Sequence, residues 1–377
     1  MATAEQTTPL SRLQAQGQSI WVDFMSREFL TGGELRRLIR EDGLQGATSN
    51  PTIFEKAIGH SADYDEDMRR FVSEGADAGS IYRELTVHDI RTACDEFRTV
   101  YDRTGGHDGY VSLEVSPLLA HDTQGTIEEA KALWNLLDRP NAMIKIPGTP
   151  EGVPAVEECL ASGLNINVTL LFSVEAYETV AHAYIRGLKR RADAGQPIDR
   201  IASVASFFVS RIDAETDKRL EAKSAPKELM GKVAIANAKN AYASFERIFG
   251  TPEFAALRDK GAKVQRLLWA SVGTKNPDYP DTLYIDELIG PETVSTMPPA
   301  TYDAFKDHGK VAEQLTLTQG MDEAQAFMGR LAEAGVDFQD VTALLLKQGV
   351  DSFAKSFDDL MGAIRSKREK LADEMGR

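Results

Sequence analysis

Short apolar runs recur along the chain, separated by longer segments with helical periodicity. The runs fall at residues 20–22, 46–48, 110–115, 143–146, 166–170, 201–208, 264–269 and 293–297. Between them, residues 126–137, 151–160, 174–191 and 227–249 repeat apolar positions at three- and four-residue steps. Strands that alternate with helices of this length pair in parallel through helical crossovers. Parallel strands are covered on both faces, which accounts for runs that are apolar almost throughout. Eight such units in one chain predict a closed (β/α)8 barrel, a TIM barrel of the α/β class.

Extra helices decorate this plan. The stretch between the second and third runs reads as helical at 63–74 and 81–101, an added layer inserted after strand two. Thr126-Ile127-Glu128-Glu129 has the spacing of a capping box, which predicts a helix start at Thr126. Pro298 and Pro299 suit the opening of a helix after strand eight. From Phe338 onward, Val341, Leu345, Phe353, Phe357, Leu360 and Ile364 form one apolar face of a long helix. That helix should pack on the barrel exterior or across one of its mouths. With no linker-like or low-complexity tract, residues 1–377 are expected to form one domain. Residues 1–18 would be a flexible N-terminus, and residues 336–375 a C-terminal helical extension.

Charge narrows the possible partners. The net charge of −15 over 377 residues repels phosphate backbones and argues against nucleic-acid binding. An anionic small molecule would need a local basic pocket. No stretch has the ~20 apolar residues of a membrane span, and the polar start lacks a signal-peptide core. The two cysteines, Cys94 and Cys159, are too few for a disulfide framework and fit a reducing compartment. The expectation is a cytoplasmic protein without membrane partners. Monomer and homodimer both remain open.

Lys145 is the most informative residue. It interrupts the apolar strand Ala142-Met143-Ile144-Lys145-Ile146-Pro147, and alternation places it on the face opposite Ile144 and Ile146. If the isoleucines meet helices, Lys145 points into the barrel. Burial disfavours an ammonium, and a free amine is the form that attacks a ketone. A lysine paired structurally with a carboxylate fits the strand equally well. Asp23 ends the first run and Glu114 lies in the third, both expensive places for a carboxylate. Thr48, Ser49, Asn50, Asn165, Asn167 and Thr169 cluster near strand ends. There they can bind sugar hydroxyls or cap helices. Ser206, at the end of strand six, and Arg211, at the start of a helix, suit a phosphate. Lys275, after strand seven, offers a second cation. The six histidines form no ligand-spaced cluster, and no nucleotide-binding glycine motif follows a strand. Metal, nucleotide and dinucleotide chemistry therefore lose support.

These motifs also resemble a known family. Gly46-Ala47-Thr48-Ser49-Asn50-Pro51 is similar to the first transaldolase signature. Met143-Ile144-Lys145-Ile146-Pro147-Gly148-Thr149 is similar to the active-site signature. Asn165 to Ser173 resembles the family's strand-five motif, and Val111 to Val115 its glutamate strand. The order and spacing agree from Trp21 to Met297, and the length resembles the longer bacterial branch.

The resemblance implies transfer of a dihydroxyacetone unit between sugar phosphates of the pentose phosphate pathway, without a cofactor or metal. Lys145 would form the Schiff base. Glu114 would act as acid and base through a water held with Thr169. Asp23 would assist proton transfer during carbon–carbon cleavage. Asn50 and Asn167 would hold the dihydroxyacetone portion with Thr48 nearby, and Ser206 and Arg211 would grip the phosphate. Shorter family members carry a further arginine after strand seven, where Lys275 stands in this chain. Two alternatives remain: an aldolase that releases free dihydroxyacetone, and a non-catalytic sugar-phosphate-binding barrel.

Overall fold

A computed structural model describes residues 8–375. Eight parallel strands close into a barrel in sequence order. They are β1 (Gln18–Asp23), β2 (Gly46–Thr48), β3 (Tyr110–Glu114), β4 (Ala142–Pro147), β5 (Ile166–Leu171), β6 (Ser203–Phe208), β7 (Arg266–Ala270) and β8 (Thr293–Met297). β1 pairs with β8 to complete the ring. The strand segments are buried along almost their whole length, as expected where one face meets helices and the other fills the barrel.

Hydrogen bonds that skip a strand identify the inward positions. Thr48 on β2 bonds Thr296 on β8 at 2.7 Å. Asn167 on β5 donates to Ser112 on β3 at 3.0 Å. At the N-terminal end of the barrel, Arg266 on β7 donates to Ser19 on β1 at 2.7 Å and pairs with Asp108 at 3.0 Å. Above that plug, the Trp21 indole fills the centre and donates to Asp108. It fits only because residue 46 is glycine: a Cβ there would lie 2.5 Å from the indole ring.

The expected strands are present, with ends shifted by a few residues. Helix starts differ more. The capping box expected at Thr126 does not form. Asp122 caps the helix Thr123–Leu137 by accepting from Gly125 N, and the Thr126 hydroxyl, inside the first turn, donates to Leu119 O. Residues 9–15 lie in the segment expected to be a flexible N-terminus, yet they form the helix Pro9–Ala15. Thr8 caps it, and Leu10 and Leu13 anchor it in the core. Residues 1–7 of that expectation lie outside the described residues. Pro298 and Pro299 do open a helix, Pro299–His308.

The insertion after β2 comprises the helices Pro51–His60, Asp65–Ser73, Ala78–Glu96 and Arg98–Arg103. Arg27, which follows β1, ties this layer down by pairing with Asp67 and with fully buried Asp89. The tail is a single helix, Phe338–Glu374, capped by Asp337. It crosses the C-terminal mouth rather than the barrel exterior, since Phe353 lines the mouth cavity and Gly349 packs against Leu170 on β5. No described helix is long and apolar enough to cross a membrane.

Candidate active site

The C-terminal ends of the strands open into a cavity of about 640 Å³, the end of the barrel at which catalytic residues collect in this fold. Lys145, Asp23, Thr48, Asn50, Ser206, Arg211 and Lys275 all line it. Strand register sets the arrangement around the lysine. Glu114 is level with Lys145 on β3, Asn167 is level with it on β5, and Asp23 is level with Thr48 across β1 and β2.

Lys145 is 4% exposed. Its Nζ donates to Ser49 O at 3.2 Å and lies 3.3 Å from Glu114 Oε2. The ring of Phe353, from the C-terminal helix, sits over the amine with its centre 5.7 Å away. Burial raises the Glu114 carboxyl above its ordinary value; the charge of Lys145 opposes that rise, and the charge of Asp23 adds to it. Asp23 is likewise raised by burial, against the opposing effects of Lys145 and of the Thr48 hydroxyl, which donates to Asp23 Oδ1 at 2.7 Å. Two buried carboxyl groups with raised proton affinity beside one amine are suited to proton transfer. Glu114 Oε2 and Thr169 Oγ1 are both buried without a well-aligned hydrogen bond, so both retain hydrogen-bonding capacity.

The carboxamides divide by role. Asn167 is fully buried. Its nitrogen donates to Ser112, and its oxygen accepts from Ser206 at 2.7 Å. Asn50 caps the helix Pro51–His60 through its oxygen, which accepts from Ile53 N. Its amide nitrogen has no partner among the described residues. Capping and ligand binding are thus compatible at Asn50. Asn165 is purely structural: it donates to Pro140 O and Ala142 O and accepts from Ala202 N.

At the far side, Arg211 lies in the first turn of the helix Ser210–Ala222. The loop after β7 is bound to that turn, because Ser210 N donates to Ser271 O and the Ser210 and Ser271 hydroxyls meet at 3.0 Å. Lys275 therefore stands close enough for the Arg211 charge, after burial, to lower its affinity for a proton. Burial alone does the same to Arg211. Neither cation forms an ion pair with a described residue. Adjacent, partly desolvated cations without a carboxylate partner favour an anionic ligand. Ser206 sits apart from this role, since its proton is donated to Asn167.

Sequence reasoning overlooked Ser112, Thr296 and Phe353. Ser112 is the inward position two residues before Glu114 on β3, and Thr296 is an inward position on β8, a strand in which no candidate site residue had been singled out. Phe353 looked like one more residue of an apolar helix face, and only the crossing of that helix over the mouth places it at the amine.

A (β/α)8 barrel with a buried lysine between two carboxylates and an unpaired cation cluster at its C-terminal mouth defines a class of barrel enzymes acting on anionic substrates. Comparison with known proteins makes this specific. The family model for transaldolase/fructose-6-phosphate aldolase matches residues 20–364. The chain is 49% identical over 373 residues to the transaldolase of Acidothermus cellulolyticus, covering 98% of this chain and 100% of the relative. It is 49% identical over 361 residues to that of Saccharopolyspora erythraea, covering 96% and 98% of the two chains. It is 47% identical over 376 residues to transaldolase 2 of a Nostoc species, covering 96% and 98%. The chain belongs to the transaldolase/fructose-6-phosphate aldolase family.

Proposed function

We propose that the protein is a transaldolase that carries a dihydroxyacetone unit on Lys145. The observation that carries this reading is the amine of Lys145, held in the barrel 3.3 Å from Glu114 and opening onto a cavity that also contains Asp23 and a cation pair.

The Lys145 amine adds to the ketose carbonyl, and loss of water gives the iminium. Glu114 supplies and recovers the protons of these steps through a water shared with the Thr169 hydroxyl. The raised carboxyl of Glu114 keeps a proton available for this. Asp23, oriented by Thr48, takes the proton of the C4 hydroxyl. The C3–C4 bond then breaks, its electron pair passes into the iminium, and an aldose leaves an enamine on Lys145. The enamine carbon attacks the aldehyde of an acceptor aldose, and hydrolysis releases the new ketose. The lysine itself provides the electron sink, so the cycle consumes no cofactor.

Asn50 and Asn167 hold the hydroxyls of the three-carbon unit. Arg211 and Lys275 bind the substrate phosphate, while Ser206 orients Asn167. Sedoheptulose 7-phosphate and fructose 6-phosphate serve as donors, with glyceraldehyde 3-phosphate and erythrose 4-phosphate as acceptors, in the cytoplasmic pentose phosphate pathway. A purely binding barrel has no use for a buried lysine beside two carboxyls, because that arrangement costs stability.

The test is acceptor dependence. Fructose 6-phosphate with erythrose 4-phosphate should yield sedoheptulose 7-phosphate and glyceraldehyde 3-phosphate in equal amounts. Omission of erythrose 4-phosphate should stop turnover after about one equivalent per site. Steady release of dihydroxyacetone at an unchanged rate would instead identify an aldolase.

A further inference from the structure

We infer that Phe353, supplied by the C-terminal helix, is a specificity-determining residue that keeps the enamine for the acceptor aldehyde by shielding the enamine carbon on Lys145 from water that would protonate it. The inference rests on Lys145 being the Schiff-base residue. It deepens that reading by assigning a function to the helix across the mouth.

The geometry is that of a roof fixed at several points. Phe353 is 4% exposed and lines the same cavity as Asp23 and Lys145. Its ring centre stands 5.7 Å from the Lys145 amine. One turn earlier, Gly349 lets the helix close on Leu170, the residue after Thr169: a Cβ at 349 would meet Leu170 Cδ2 at 2.8 Å. Leu170 itself is held at φ 61°, where the β5–β6 register shifts. One turn later, the Ser356 hydroxyl bonds that of Thr52 at 2.8 Å, and Phe357 packs edge-on against Tyr82. Further along, Lys367 donates to Ile58 O and Ser61 O and pairs with Asp65. The ring is therefore held from the β5 side and from the insertion, directly above the nitrogen.

The chemistry gives that position a consequence. After cleavage the enamine has two fates. Its nucleophilic carbon can attack an aldehyde, forming a carbon–carbon bond. Alternatively that carbon takes a proton, water adds to the resulting iminium carbon, the carbon–nitrogen bond breaks, and dihydroxyacetone leaves with Lys145 restored. Both routes end in hydrolysis of an iminium on Lys145, so the step that sets the second apart is delivery of a proton to the enamine carbon. An aromatic face beside the adduct excludes water, as a proton source, from that side of the enamine and stabilises the iminium cation, leaving hydrolysis to the water proposed between Glu114 and Thr169. The acceptor enters instead through the opening lined by Asp23, Asn50 and Arg211.

The test measures, in one enzyme preparation, dihydroxyacetone released from fructose 6-phosphate without acceptor and transfer to erythrose 4-phosphate. The release-to-transfer ratio of Phe353→Ala should rise by about tenfold, whereas Phe353→Leu, which keeps apolar bulk, should stay within about twofold of wild type. Ser356→Ala, which loosens the helix without opening the core, should raise the ratio in the same direction and keeps the test valid should Phe353→Ala fail to fold. An unchanged ratio in Phe353→Ala and Ser356→Ala, or equal increases in Phe353→Ala and Phe353→Leu, would overturn the assignment. Borohydride trapping of the wild type with fructose 6-phosphate separates the two levels. A Lys145 adduct with an unchanged ratio rejects only the role of Phe353, while absence of any adduct rejects the Schiff-base reading beneath it.

Discussion

Replacing Lys145 by Ala should separate chemistry from folding. The amine is buried and its direct partners are Ser49 O and Glu114, so its loss leaves one carboxyl that burial already biases towards the neutral form. Lys145→Ala is expected to melt within a few degrees of wild type while turnover falls by at least ~10⁴-fold; circular dichroism and a coupled transfer assay check the two halves. Arg211 and Lys275, which line the cavity, are the residues proposed to bind the substrate phosphate. Lys275→Ala should raise KM for phosphorylated donors about tenfold with a smaller change in kcat. Lys275→Arg, which adds the bidentate fork, should preserve or improve KM. Asp213, two residues beyond Arg211, carries a pH signature. Burial pushes its carboxyl up to about 7, although Ala234 N and Tyr284 OH donate to it. A carboxyl raised above its unfolded value contributes stability that is complete below the unfolded pKa and is lost as pH rises through the folded one. Melting temperature should therefore fall between pH 5 and pH 8 in the wild type, and that slope should flatten in Asp213→Asn. Equal slopes in the two proteins would refute the assignment.

Strands were legible in the chain because parallel strands in a closed barrel are buried on both faces and so read as continuous apolar runs. A polar residue in such a run, as at Lys145 or Glu114, stands out for the same reason. Helix boundaries were less legible, since several residues near a start can serve as the cap. At the helix after β3, Asp122 and Thr126 both have suitable side chains, and Asp122 wins. The helix Pro9–Ala15 was hidden because its two anchoring leucines lie in an otherwise polar stretch and find their apolar partners only after folding. Ser206 shows the same limit within the site: its type and position suit a phosphate, but its partner, Asn167, is set by strand register. Two element-scale predictions follow from close packing. Gly46→Ala drives a methyl into the Trp21 ring and should destabilise by about 2 kcal/mol. Arg27→Met leaves Asp89 buried without its cation and should cost roughly 3–5 kcal/mol. Denaturant titration measures both, and loosening of the insertion should accompany only the second.

At the scale of the whole molecule, the barrel separates support from chemistry along its axis. The N-terminal end is closed by Arg266, Asp108, Ser19 and the Trp21 indole, a network that satisfies its own charges. The C-terminal end leaves an amine, the Asp23 carboxyl and two cations facing a shared cavity beneath a helix contributed from the far end of the chain, with Glu114 beside the amine. The division places a self-satisfied network under the lysine and the ligand-facing groups above it. The central claim is that Lys145 forms a covalent adduct with the ketose. Borohydride reduction in the presence of fructose 6-phosphate, followed by peptide mass spectrometry, tests it most directly. The account predicts one dihydroxyacetone-derived adduct per chain, located at Lys145. Unmodified protein, or an adduct at another lysine, would contradict it.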